Sequence, residues 1–137
     1  TKKMSKSSEN QNGVIRLLDE PEVIRKKIMR ATTDSETCVR YDEENKPGIS
    51  NLINIYAALT NKTKEEIEEE FKDSNYGTFK KAVADVVVNE IEKIQTKYNE
   101  YMNSDVIDKI LENGKEKSRM YAKAKYEAVK NKLGFYN

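Results

Sequence analysis

The run Phe79-Lys-Lys-Ala-Val-Ala-Asp-Val-Val-Val-Asn-Glu-Ile-Glu-Lys-Ile-Gln-Thr-Lys-Tyr-Asn-Glu-Tyr101 decides the fold class. Its apolar residues Phe79, Val83, Val86, Val87, Ile91, Ile94, Tyr98 and Tyr101 step by three or four positions, the period of a helix with one face turned to a core. The spacing predicts a long helix from Thr78 to about Asn103. Ser104 then offers a cap, and Ile107, Leu111, Gly114, Ser118, Ala122 and Val129 carry a second long helix to Leu133-Gly134. Gly114, Ser118 and Ala122 lie four apart, a groove that would admit another helix closely.

Upstream, Thr63-Lys-Glu-Glu66 has the form of a capping box, in which the hydroxyl satisfies one unpaired N–H and the glutamate reaches back to another. It starts a short acidic helix to about Lys72, which Asn75-Tyr-Gly77 should break. Pro47-Gly48 opens a helix with Ile49, Leu52, Ile53, Tyr56 and Leu59 on one face. Asp19-Glu-Pro-Glu22 starts another, in which Val23, Ile24, Ile28 and Met29 follow at helical spacing to about Ala31 and Arg25, Lys26, Lys27 and Arg30 point outward. Val14-Ile-Arg-Leu-Leu18 has room for one short strand, and Thr1 to Gly13, rich in Ser, Lys and Asn, reads as a mobile loop. With strands nearly absent, these stripes are covered helix on helix. The expected fold is all-α, an antiparallel helical bundle of about five helices behind a flexible loop.

The 137 residues are the size of one ordinary domain. The net charge of +1 announces no partner, but its distribution is uneven. Residues 1–30 hold eight Lys/Arg against four Asp/Glu and residues 113–137 hold seven against two, around an acidic middle with ten against eighteen. Two basic ends can orient a polyanion. Cys38 is the only cysteine and there is no histidine, so an intramolecular disulfide, the usual zinc sets and histidine acid/base chemistry are excluded. No apolar run is long enough to span a bilayer and no signal-peptide core is present, so a cytoplasmic protein is expected.

Lys3-Met-Ser-Lys-Ser7 is the stretch that points to chemistry. Two lysines and two serines on a loop place ammonium charges and hydroxyl donors together, which suits a polyphosphate. The bland alternative is a solvated basic tail. On α-helical positions near the other end, Lys115, Lys117, Arg119, Lys123, Lys125 and Lys130 interleave with Tyr121 and Tyr126. Such a stripe is either a solvated face or a surface for single-stranded RNA, cations meeting phosphates and rings meeting unstacked bases. Cys38 is most simply a bystander thiol. Thr33-Asp34-Ser35 and Arg40-Tyr41-Asp42 suggest a hinge or docking surface between domains, with no reaction assigned.

The letters of Lys3-Met4-Ser5-Lys6-Ser7 are the KMSKS signature of class I aminoacyl-tRNA synthetases. The segments Leu17-Leu-Asp19, Ile24-Arg-Lys-Lys-Ile28, Thr32-Thr-Asp-Ser35, Arg40-Tyr-Asp42 and Lys46-Pro-Gly-Ile-Ser-Asn-Leu-Ile-Asn-Ile-Tyr56 resemble, in order and spacing, the region after that motif in bacterial tryptophanyl-tRNA synthetases. One departure is Ser8-Glu9, where the family often has an aspartate directly after the motif. The resemblance implies an enzyme that joins tryptophan to its tRNA with ATP and Mg²⁺, usually as a homodimer. It implies Lys6 as the lysine aimed at the phosphates, Lys3, Ser5 and Ser7 as the rest of an ATP clamp, and Met4 as its packing anchor. Residues 1–18 would be the clamp and the end of a catalytic domain, and residues 19–137 a helical anticodon-binding domain. The tRNA-contacting residues are expected among Lys115, Lys117, Arg119, Tyr121, Lys123 and Lys125. With no histidine for an HIGH-type motif and no Gly-rich strand-to-helix turn, the chain reads as the C-terminal part of such an enzyme, inactive by itself. A stand-alone helical RNA- or protein-binding module is the alternative.

Overall fold

The computed structural model describes residues 11–135. After a 3-10 turn at Gln11–Gly13 come five helices: α1 Pro21–Met29, α2 Pro47–Thr60, α3 Lys64–Glu70, α4 Tyr76–Met102 and α5 Val106–Leu133. The fold is all-α, as the spacing of apolar residues implied. There is no strand among the described residues. Residues 14–18 run irregularly because their carbonyls are taken by side chains: Val14 O accepts from Lys27 Nζ and Leu17 O from the Gln95 amide.

Local chemistry sets the ends of the helices. Pro21 begins α1, where its missing N–H costs nothing. Thr63 and Glu66 form the capping box of α3, with Glu66 N donating to Thr63 Oγ1 at 3.2 Å and Thr63 N donating to Glu66 Oε2 at 2.8 Å. Asn61 closes α2 in the left-handed conformation, φ 57°. Two boundaries differ from expectation. The acidic helix α3 ends before Asn75, as expected, but Tyr76 and Gly77 already form the first turn of α4, because Asn75 Oδ1 accepts from Thr78 N at 2.9 Å and so caps the helix. At α5 the cap position falls to Asp105, while Ser104 Oγ stands 3.5 Å from Val106 N.

The chain divides into two compact units, Thr1–Gln95 and Thr96–Asn137. In the first, Ile24 and Ile28 of α1, Ile49, Leu52, Ile53 and Tyr56 of α2, Ile67 of α3, and Phe79, Val83, Ala84, Val87 and Val88 of α4 are buried together. Tyr56, Phe71 and Phe79 meet at its centre, with ring centroids 4.9 to 5.9 Å apart. Such tilted contacts suit the ring quadrupoles. Val23, Met29 and Leu59, expected on the apolar faces, stay exposed at their margins.

In the second unit α5 has no buried residue. Leu111 is 64% exposed and Met120 74%. A Cβ placed on Gly114 would meet nothing within 4 Å, so no helix occupies the small-residue groove among the described residues. No described helix is long and apolar enough to cross a membrane.

Candidate functional site

Lys3, Met4, Ser5, Lys6 and Ser7 lie outside the described residues. What is described is the segment that carries the chain from them to α1. Lys27 Nζ donates to Val14 O at 2.7 Å and to Asp19 Oδ2 at 2.5 Å. Arg16 N donates to the same Asp19 oxygen at 2.9 Å, and Arg16 Nη2 to Gln11 Oε1 at 2.8 Å. From α4, Gln95 Nε2 donates to the carbonyls of Leu17 and Asp19, both at 2.9 Å. Lys27 and Asp19 are only 12% and 14% exposed in their side chains. The Lys27 hydrogen bond, followed by that of the Arg16 amide, holds the Asp19 carboxyl below its ordinary pKa.

Lys27 was expected to point outward and does not. It follows Ile24 by three positions and adjoins Ile28, so it sits on the flank of the buried face. That spacing was the available signal. Ile15, Ile28, Leu52 and Ile55, together with Asn12 and Asn51, help line an open cavity of about 270 Å³.

Residues 31–46 form a second ordered connection, and buried lysines hold it. Lys80 Nζ donates to Ala31 O at 2.7 Å. Lys46, 1% exposed, donates to Cys38 O at 3.0 Å and to Tyr76 Oη at 2.9 Å, and pairs with Glu36 at 2.6 Å and Asp34 at 3.6 Å. Tyr76 Oη in turn donates to Asp34 Oδ1 at 2.7 Å. Burial pushes the Asp34 carboxyl upward, but the Tyr76 hydroxyl and nearby backbone amides outweigh it and the pKa falls. Burial alone would lower the Lys46 pKa; its bonds to Glu36 and Tyr76 hold it above the ordinary value. Both groups are therefore ionised at neutral pH. Asp42 is held down to about 2 by the Asn45 amides and Arg40. The start of α2 passes so close to this connection that a Cβ on Gly48 would lie 2.2 Å from Thr32 O. Thr33–Ser35 and Arg40–Asp42 thus belong to an ion-paired strap that holds geometry. The Cys38 thiol is exposed.

The basic residues of α5 fall on two sides. Residues four apart in a helix share a face, so Lys115, Arg119 and Lys123 form one stripe, and Lys117, Tyr121 and Lys125 form another roughly 200° around the axis. The expected single stripe is two. Tyr121 is 81% exposed and Tyr126 63%. Lys115 also pairs with Glu112 at 2.5 Å.

The family model described as tRNA synthetases class I (W and Y) matches residues 1–91, a stretch that includes Lys3–Ser7, the α1 tether and the strap. The chain belongs to this family. It is 51% identical over 134 residues to the tryptophan–tRNA ligase of Bacillus anthracis, covering 98% of this chain and 41% of that protein. The ligase of Malacoplasma penetrans is 51% identical over 132 residues, covering 96% and 39%. The crystal structure of tryptophanyl-tRNA synthetase from Mycoplasma pneumoniae matches with a TM-score of 0.71 and 33% identity over 98% of this chain and 41% of that one. The chain thus spans about 40% of the length of these class I relatives.

Proposed function

We propose that residues 1–137 are the C-terminal part of a cytoplasmic tryptophan–tRNA ligase, with residues 1–18 contributing an ATP phosphate clamp and residues 19–137 the anticodon-binding region. The observation that carries this is 51% identity over nearly the whole chain to a tryptophan–tRNA ligase, in a stretch that includes Lys3-Met-Ser-Lys-Ser7. The substrates are ATP, tryptophan and the tRNA for tryptophan, and the complete enzyme is a homodimer on the family resemblance. Mg²⁺ enters on the family resemblance, as the companion of ATP.

In the first step a tryptophan carboxylate oxygen bonds to the α-phosphorus of ATP as the bond to the β-phosphate oxygen breaks, giving tryptophanyl-adenylate and pyrophosphate. Charge grows on the departing pyrophosphate, and a preorganised cation stabilises it. Lys6 is assigned that role, with Lys3, Ser5 and Ser7 beside it and Met4 as anchor. In the second step a ribose hydroxyl oxygen of the terminal adenosine of the tRNA bonds to the aminoacyl carbonyl carbon, the bond from that carbon to the phosphate oxygen breaks, and AMP leaves. The tRNA is held in part by α5, and because its cations lie on two sides, one stripe at a time faces the RNA.

The test is Lys6→Ala in the complete enzyme, read as single-turnover adenylate formation with ATP and tryptophan saturating. The rate should fall roughly 100- to 1000-fold, the usual loss for one charge contact made in the transition state, with tryptophan affinity kept. A rate within about threefold of wild type would make Lys3–Ser7 a solvated loop and overturn the proposal.

A further inference from the structure

We propose that Lys26 and Arg30 of α1 and Lys81 of α4 form a second contact surface for the tRNA, which takes phosphates of the RNA backbone and is carried by neither stripe of α5. The proposal rests on the tryptophan–tRNA ligase reading above.

Between Gln11 and Gln95 positive charge is matched almost everywhere from within. Arg25, Arg40, Lys62, Lys72 and Lys93 pair with carboxylates, and Lys27 and Lys46 sit inside ion-paired clusters. Arg16 donates to the Gln11 side chain, Lys80 to the Ala31 carbonyl, and Lys64 lies over the Tyr41 ring. Lys26, Arg30 and Lys81 are the exceptions. All three are exposed, and none has a carboxylate, hydrogen-bond or ring partner among the described residues.

The three also fall at one place. Lys26 and Arg30 are four apart in α1, so their Cβ atoms lie about 6 Å from each other on one face, turned away from the buried Ile24 and Ile28. Helices α1 and α4 run antiparallel where they meet, because Arg25 pairs with Asp85 while Lys80 Nζ reaches Ala31 O just past the end of α1. Lys81 adjoins Lys80 and stands one turn before Asp85, at the same end of this seam as Arg30. Asp85 is taken by Arg25, and Glu22, at the far end of the face, is one carboxylate against two cations.

Unmatched like charges repel one another, and a polyanion relieves that while releasing its own counterions. Helix α1 has no aromatic residue on which a base could stack, so the contact is with phosphate and carries no sequence information.

The experiment measures equilibrium binding of the complete enzyme to the tRNA for tryptophan, and to an unrelated tRNA, over a range of salt. Lys26→Gln, Arg30→Gln and Lys81→Gln together should flatten the slope of log affinity against log salt by about two to three, since each phosphate contact contributes roughly 0.7–0.9. Both tRNAs should weaken by the same factor. A control removing equal charge from matched sites, Lys62→Gln with Lys72→Gln and Lys93→Gln, should change the slope by less than about one. Melting temperature should stay at the wild-type value, because the three residues are exposed; Lys26→Gln alone, expected to remove about one from the slope, carries the test if the triple variant melts early.

A triple variant with the wild-type slope, or one that changes it no more than the control does, would overturn the proposal and leave the ligase reading standing. A loss confined to the tRNA for tryptophan would overturn the assignment to backbone phosphates. A wild-type enzyme unable to join tryptophan to this tRNA would overturn the ligase reading and the proposal with it.

Discussion

Helices α4 and α5 have 27 and 28 residues and share the same three-and-four spacing of apolar side chains, yet α4 buries seven residues and α5 none. The difference lies in what each meets. The first half of α4 brings Phe79 against Tyr56 and Phe71, and Val83, Val87 and Val88 continue that core; by Ile94, Tyr98 and Tyr101 the same stripe has run out of partners and is exposed. Helix α5 persists on local terms. Lys109 pairs with Asp105 and Lys115 with Glu112 at helical spacing, each worth about 0.2–0.5 kcal/mol in an isolated helix. Lys130 and Lys132 face the negative end of its dipole, and Gly134 ends it at φ 72°. A helical period therefore announces a helix; burial needs a second surface with matching side chains.

Single truncations should break the two regions unequally. The largest loss is expected for Phe79→Ala, which removes the ring shared by two aromatic contacts in a fully buried site; it should cost about 3–5 kcal/mol in denaturant unfolding. Lys46→Met comes next. It keeps volume but strips Tyr76, the Cys38 carbonyl and the carboxylate of Asp34 of their shared donor, at about 2–3 kcal/mol. A neutral result there would mean the strap is held by packing alone. The smallest effect belongs to α5: Tyr121→Ala should change stability by no more than about 0.5 kcal/mol, the range of surface substitutions. If Tyr121→Ala cost as much as Phe79→Ala, α5 would have a packed face in solution and the contrast with α4 would fail.

The sequence was readable where the physics is local. Pro21, the Thr63–Glu66 box and the periodicity of residues 79–101 acted within a turn or two of themselves, and all three appear where expected. Asn75-Tyr-Gly77 misled about where α4 begins, because an asparagine and a glycine two positions apart resemble a loop, whereas the asparagine caps the helix that follows. The short strand at 14–18 failed for a non-local reason: its carbonyl acceptors are claimed by Lys27 and Gln95, partners 13 and 78 positions away. The same distance hid the tether and the Lys46 cluster, whose Tyr76 lies 30 positions on. Residue types alone left Lys3–Ser7 open between a phosphate loop and a solvated basic tail, and only the family resemblance chose between them. The two-sided arrangement of α5 was open to counting and was missed by reading its lysines as one row.

The grip of Gln95 on Leu17 and Asp19 has a consequence for the order of events on the ribosome. Its acceptors are made 76 to 78 residues before the donor exists. At a synthesis rate of about 5–20 residues per second, residues 17–19 wait roughly 4 to 16 s for their second fastening. During that interval Lys27, only eight positions beyond Asp19, is the partner already in hand. The nascent segment is thus tied first from within its own neighbourhood and locked only when α4 has been made, so residues 14–19 are among the last parts of this unit to be completed.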